Sequence, residues 1–265
     1  MFAVGGRSRA RTSRVTPAAS PDLVRELDAL CARAWPSFER EECGGWIFRS
    51  AAGFSLRSNS VWAADLQGGM TVEERISRAE AFYAARNLPA RFQISPATRP
   101  ARLEAALIRR GYSFHTTTDV MIARDPTPSP SMRIELTPLP SETWRQVMLD
   151  SAHDSADAHG RLAIVHRIGL PRAHATAWVD GRAAAIGLGV ADGNWLGVFA
   201  MRTHPDYRRR GLARAIVATL REWAAARAAN VAYLQVESDN AAAIALYSGL
   251  GFARAYAYRY CTREL

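Results

Sequence analysis

The sequence contains no lysine: all 34 basic residues are arginine. The abundance of Ala, Arg and Gly makes a GC-rich genome the plain explanation. Cysteine is scarce. Cys31, Cys43 and Cys261 are scattered and odd in number, which excludes a disulfide framework. No pair stands at metal-ligand spacing, so no metal is expected, and a reducing, cytoplasmic setting is the simple reading. Apolar runs fall well short of the ~18 residues of a membrane span. The first twenty residues hold Arg7, Arg9, Arg11 and Arg14 but no acid. They also lack the apolar core of a secretory signal, so residues 1–20 read as a disordered basic tail or a start-site extension.

What is present fits a folded protein. Of 265 residues, 48% are hydrophobic and 22% charged, enough for a substantial core. The net charge is +9; the four tail arginines account for +4 and leave +5 for the rest. That is modest for a nucleic-acid binder, and no aromatic-basic stacking motif or recognition helix is evident. A polyanionic cofactor would also suit the surplus.

Pro126, Pro128 and Pro130 mark residues 125–131 as a semi-rigid linker. It divides the chain into 21–124 and 132–265. The two parts repeat one order of elements. In the second, a helix at Ala215–Ala228 precedes a strand at Val231–Val236. A helix at Asn240–Ser248, a turn at Gly251 and a strand from Ala253 to Cys261 follow. In the first, the same order reads as a helix from Val72 to Arg86 and a strand at Arg91–Ile94. A helix from Arg99 to Arg109, a turn at Gly111 and a strand near Thr117–Ala123 complete it. Ahead of this, the second part has a helix at about Ser141–Met148. Strands at Ala173–Val179, Ala183–Val190 and Trp195–Thr203 come next, around the turns Asp180-Gly181 and Asp192-Gly193-Asn194. The fold class is therefore α/β (α+β): a mixed, mostly antiparallel sheet flanked by helices, in tandem.

The strongest chemical signal follows the strand Trp195–Thr203. His204-Pro205-Asp206-Tyr207 leads into Arg208-Arg209-Arg210-Gly211-Leu212-Ala213, which opens an alanine-rich helix. A pyrophosphate needs closely spaced backbone N–H donors and positive charge. A loop entering a helix offers unpaired amides and the positive end of the helix dipole. Small residues at Gly211 and Ala213 let phosphate approach, and arginines at the rim add charge-assisted contacts. A solvated basic turn before a helix is the plainer alternative.

Strand, loop and helix resemble the acetyl-CoA-binding segment of the GNAT (GCN5-related) N-acetyltransferase family. Arg208, Gly211 and Ala213 fill the family's pattern. Val236 to Asn240, Ala243, Ala245-Leu246-Tyr247 and Gly251-Phe252 resemble its next segment, at the usual distance. The resemblance implies one bound acetyl-CoA per chain. Backbone groups of Met201, Arg202 and Thr203 would hold the pantetheine arm. Amides of Arg209, Arg210, Gly211, Leu212, Ala213 and Arg214 would hold the pyrophosphate, with Arg208 at its edge. Asn240 would bond the pantetheine or the acetyl end, and Tyr247 would stand near the sulfur as an acid. The N–H of Thr203 or Met201 could serve as an oxyanion donor. The missing lysines would also remove targets of self-acetylation.

The base is less legible. Trp195–Ala200 carries no carboxylate, although many family members place a glutamate there. Glu237 is the first candidate, with His204 at the loop mouth as another. His153, Asp154, Asp157 and His159 stand where the family's acceptor-side helices lie, and His153 and Asp154 are candidate acceptor contacts. The first part lacks a matching loop: Gln67-Gly68-Gly69-Met70-Thr71 has glycines but no arginines, and Leu107 stands where Tyr247 would. It reads as a degenerate GNAT-like domain. Its Trp35, Gly45-Trp46 and Trp62 read as strand packing, while Arg57 and Asn59 are candidates to line an acceptor pocket. The expected activity is transfer of an acetyl group to a primary amine, a small molecule or a peptide, in a monomer or homodimer. A CoA-binding regulator and a nucleic-acid-binding module are the alternatives.

Overall fold

The computed structural model describes residues 19–124, 132–151 and 154–265. The tail up to residue 18, the linker at 125–131 and His153 lie outside the described residues. Local rules account for most elements. Ser20 caps α1 (Pro21–Ala34) by accepting the Leu23 N–H, and Pro21 sits in the first turn. Val24, Leu27, Leu30, Cys31 and Ala34 form the buried stripe of this helix. The strands β1 (Glu39–Cys43), β2 (Trp46–Ser50) and β3 (Val61–Trp62) come next. Then α2 (Val72–Ala84) opens on a capping box between Thr71 and Glu74. β4 (Ala90–Ile94), α3 (Leu103–Arg109) and β5 (Ser113–Ala123) complete the first part. α3 begins later than expected, because Arg99 precedes Pro100 and a residue before proline is disfavoured in the helical region.

The second part contains β6 (Ile134–Thr137), α4 (Glu142–Asp150), α5 (Ser155–His166), β7 (Arg172–Val179), β8 (Arg182–Asp192) and β9 (Trp195–Thr203). It continues with α6 (Leu212–Ala225), β10 (Val231–Glu237), α7 (Ala241–Ser248) and β11 (Ala253–Arg263). The described strands form one sheet in the order β1-β2-β3-β4-β11-β5-β10-β9-β8-β7-β6. Neighbours are antiparallel except β3–β4 and β9–β10, which are parallel. The final strands are exchanged. β5 pairs with β10, and β11 pairs with β4 and β5.

One core packs α1 and α4 on β8 and β9 through Ile186, Leu188, Val190 and Phe199. The opposite face of β8, through Ala184, Ala185 and Ala191, meets the core around α6 and α7. A third core lies under α2 and α3. So α1, from the first part, covers the sheet of the second. Trp35 stacks on Phe199 at 5.7 Å, and the indole of Trp195 donates to Glu26 at 2.8 Å. No helix among the described residues is long and apolar enough to cross a membrane.

Candidate functional site

β9 and β10 run parallel only from Trp195↔Val231 to Val198↔Leu234. Beyond Val198 they part. β9 bulges: its register against β8 shifts between Ile186 and Leu188, and Ala200 takes a φ of 51°. β10 instead stays with β5, pairing Gln235↔Val120, Val236↔Asp119 and Glu237↔Thr118. Backbone groups of β9 past Val198 that face β10 therefore have no strand to pair with, and a ligand's amides could take that place.

A cavity of about 360 Å³ opens in this gap. Met201, Arg202, Glu237, Asn240, Tyr247 and Arg57 all line it. Both parts of the chain contribute, with Trp35, Ser55 and Thr118 on one side and Met148, Arg161 and Phe199 on the other. Tyr247 is buried on α7, edge-on to Phe252 at 5.9 Å. Burial pushes its hydroxyl up to about 12, with the Arg202 charge pulling the other way. It is thus a neutral phenol at any ordinary pH, able to donate a proton. Asn240 caps α7: its Oδ1 accepts the Ala243 N–H at 3.1 Å, which leaves its Nδ2 as a donor. Glu237 ends β10 as an exposed carboxylate.

The loop lies apart from this lining. Arg208, Arg209 and Arg210 are exposed. Gly211 is the N-cap of α6 with a φ of 80°, in the left-handed region where glycine is at ease, and no side chain caps the helix. The first intrahelical bond of α6 is Ala215 N–H to Gly211 O, at 3.0 Å. The amides of Leu212, Ala213 and Arg214 therefore lack an intrahelical acceptor. The Arg214 guanidinium ties the helix start to the Gly249 carbonyl at 3.1 Å. Free edge groups between two parallel strands and an uncapped, cation-rich helix start fit an extended amide arm ending in a pyrophosphate. Thr203 does not line the cavity.

Other candidates have local duties. Asn59 is spent on its own loop: its Oδ1 accepts from Ala51 N and Gly53 N, and its Nδ2 donates to Phe54 and Ser55 carbonyls. It is not part of the cavity wall. Asp154 caps α5 by accepting the Ala156 N–H. Asp157 pairs with Arg161 at 2.5 Å, His159 bonds the Ser155 carbonyl, and His204 accepts the Asp206 N–H. Among the described residues no cluster of His, Cys, Asp or Glu could hold a metal ion.

Sequence reasoning passed over several polar cavity residues, Gln235, Tyr258, Tyr260 and Arg161 among them. Gln235 breaks the otherwise apolar run of β10, and that polar intrusion was the available signal. Tyr258 and Tyr260 alternate along β11, marking one face of a strand. Arg161 lies on α5, in the region where the resemblance implied acceptor-side helices, but it was not singled out there.

The chain is similar to known acetyltransferases in sequence and in fold. The family model described as "Probable histone acetyltransferase Rv0428c C-terminal" matches residues 22–261. The uncharacterized N-acetyltransferase YobR of Bacillus subtilis (strain 168) is 28% identical over 244 residues, covering 88% of this chain and 95% of that protein. A GCN5-related N-acetyltransferase from Kribbella flavida superposes with a TM-score of 0.64 at 14% identity, over 90% of this chain and 94% of the other. A tandem GNAT protein from the clavulanic acid biosynthesis pathway gives 0.62 at 14%, over 90% and 87%. The chain belongs to the Rv0428c C-terminal family and is an N-acetyltransferase of the GNAT type.

Proposed function

We propose that the protein transfers the acetyl group of acetyl-CoA to a primary amine, by direct attack with both substrates bound. The observation that carries this reading is the gap between β9 and β10, where Met201, Asn240 and Tyr247 meet Arg57 and Trp35 in one cavity. Acetyl-CoA supplies the activated acyl group as a thioester. Backbone groups of Met201, Arg202 and Thr203, with Asn240 Nδ2, hold its arm. The amides from Arg209 to Arg214 and the loop arginines, Arg208 included, hold its pyrophosphate. The helix start supports this role because it presents free amides and no acid in its first turn.

The neutral amine attacks the thioester carbonyl. The N–C bond forms and the C–S bond breaks. Tyr247 gives its proton to the departing sulfur, and its phenolate is reprotonated from solvent. The surplus proton of the amine goes to Glu237 or to water. Burial of Tyr247 supports its part, since a hydroxyl held near 12 stays protonated until that step. The test is calorimetry with acetyl-CoA followed by thiol release over a library of amines. Thiol release that collapses in Tyr247→Phe is the expected result. Tight acetyl-CoA binding without thiol release from any amine would make the protein a binding regulator instead.

A further inference from the structure

We infer that the acceptor is an amino carboxylate with an apolar or aromatic body, its carboxylate held by Arg57 and its nitrogen met by Gln235. This assignment rests on the acetyl-transfer reading and names the substrate class of the same cavity.

The charges of the wall come first. Among the described residues, the wall sets Arg57, Arg161 and Arg202 against a single carboxylate, Glu237. Arg161 is already matched by Asp157. Arg202 donates to the Met201 carbonyl at 3.0 Å. Arg57 takes part in none of the ion pairs among the described residues. It is half-buried, 6.0 Å from the centre of the Trp35 ring. Its charge is felt by the hydroxyls of Tyr258 and Tyr260. A partly desolvated guanidinium without an anion is an unmet electrostatic demand, and a planar carboxylate matches its fork.

Gln235 carries the complementary demand. It lines the cavity from β10, one residue past the point where β9 leaves, and its buried Oε1 has no hydrogen-bond partner among the described residues. Such an oxygen needs an N–H donor. A neutral primary amine can supply one and keep its lone pair for attack. Trp35, Leu56 and Met148 add apolar surface to the same cavity wall. A polycationic acceptor would meet Arg57, Arg161 and Arg202 with like charge.

The test uses the expected product, so that it does not depend on turnover. N-Acetylphenylalanine and its carboxamide are titrated calorimetrically into the full chain, alone and with CoA, and acetyl-CoA is titrated separately. The carboxylate should bind at least about tenfold more tightly than the carboxamide, as expected for a charge-assisted pair. Arg57→Gln should bring that ratio close to one, and Arg57→Lys should keep part of it. Gln235→Leu should weaken both ligands alike, because both present the same N–H. Equal affinities, a tighter carboxamide, a ratio untouched by Arg57→Gln, or no binding of either ligand would each overturn the assignment. Failure of acetyl-CoA to bind would instead overturn the reading beneath it.

Discussion

The two parallel strand pairs, β3–β4 and β9–β10, carry the same plan to opposite ends. Phe92-Gln93-Ile94 in β4 and Leu234-Gln235-Val236 in β10 occupy corresponding places. Gln93 is saturated. Its Oε1 accepts from Arg49 at 3.0 Å, and its Nε2 donates to Asp28 at 3.3 Å. Asp28 also accepts from Tyr256 and Ser95. Gln93 and Asp28 are thus held by their own neighbours. In the second part, Gln235 keeps an unpaired oxygen in an open gap.

The helix starts differ in the same way. Thr71 caps α2 with its own side chain, and Glu73 and Glu74 put negative charge in its first turn. α6 has an uncapped glycine and arginines. Leu107 is fully buried in the first core, whereas Tyr247 reaches the cavity. Loss of one loop is therefore too small a description: the strand glutamine and the helix start are internally engaged in one part and open in the other.

Four experiments probe that contrast. Tyr247→Phe should lower kcat by about 10³-fold with little change in acetyl-CoA affinity, in the range of a lost general acid, as steady-state kinetics would show. A comparable loss in affinity would mean that the hydroxyl only binds. The next concerns the closed gap. Burial raises the Asp28 carboxyl from 3.8 to about 6, against the hydrogen bonds from Tyr256 and Ser95. The folded state therefore binds the proton more tightly than the unfolded chain. Stability should fall as pH rises from about 4 to about 6 and stay lower above that, by about 3 kcal/mol if the shift is fully expressed. Denaturant melts of Asp28→Asn should be nearly flat across that window; an unchanged slope would remove Asp28 as the cause.

Rewriting the open helix start to resemble the closed one comes third. Ala213→Glu with Arg214→Glu places two acids in the first turn of α6 and should weaken acetyl-CoA binding about thirtyfold by calorimetry. Unchanged affinity would move the pyrophosphate elsewhere. The smallest effect is expected for Glu237→Gln, about tenfold in kcat/KM, read from pH–rate profiles. No loss would leave the amine's proton to water.

The open part was far more legible than the closed one. The strand at Trp195–Thr203 and the loop after it follow local rules, and both stand where the sequence put them. Arg57 lines the cavity from a segment far away in sequence, which only its unusual surroundings of tryptophan and asparagine hinted at. Asn59 shows the limit of that hint, since a buried asparagine in a tight loop is as distinctive as a binding residue. The bounds of α5 were not legible in the local pattern, which Gly160 interrupts. That glycine accommodates the Phe54 ring, which a Cβ would strike at 1.9 Å. The exchange of β5 and β11 depends on pairing between distant segments, and no local pattern distinguishes a strand that stays from one that crosses.

That exchange has a consequence for how the chain is made. β11 is the last described element in sequence, yet it lies in the interior of the sheet, between β4 and β5. On a ribosome, the β11-facing edges of β4 and β5 stay unpaired until Ala253–Arg263 emerges. The first part therefore cannot complete its sheet as an independent, early-folding unit, and the contacts that close it are among the longest in the chain. Loss of the final dozen residues would open the sheet at its centre rather than trim its edge.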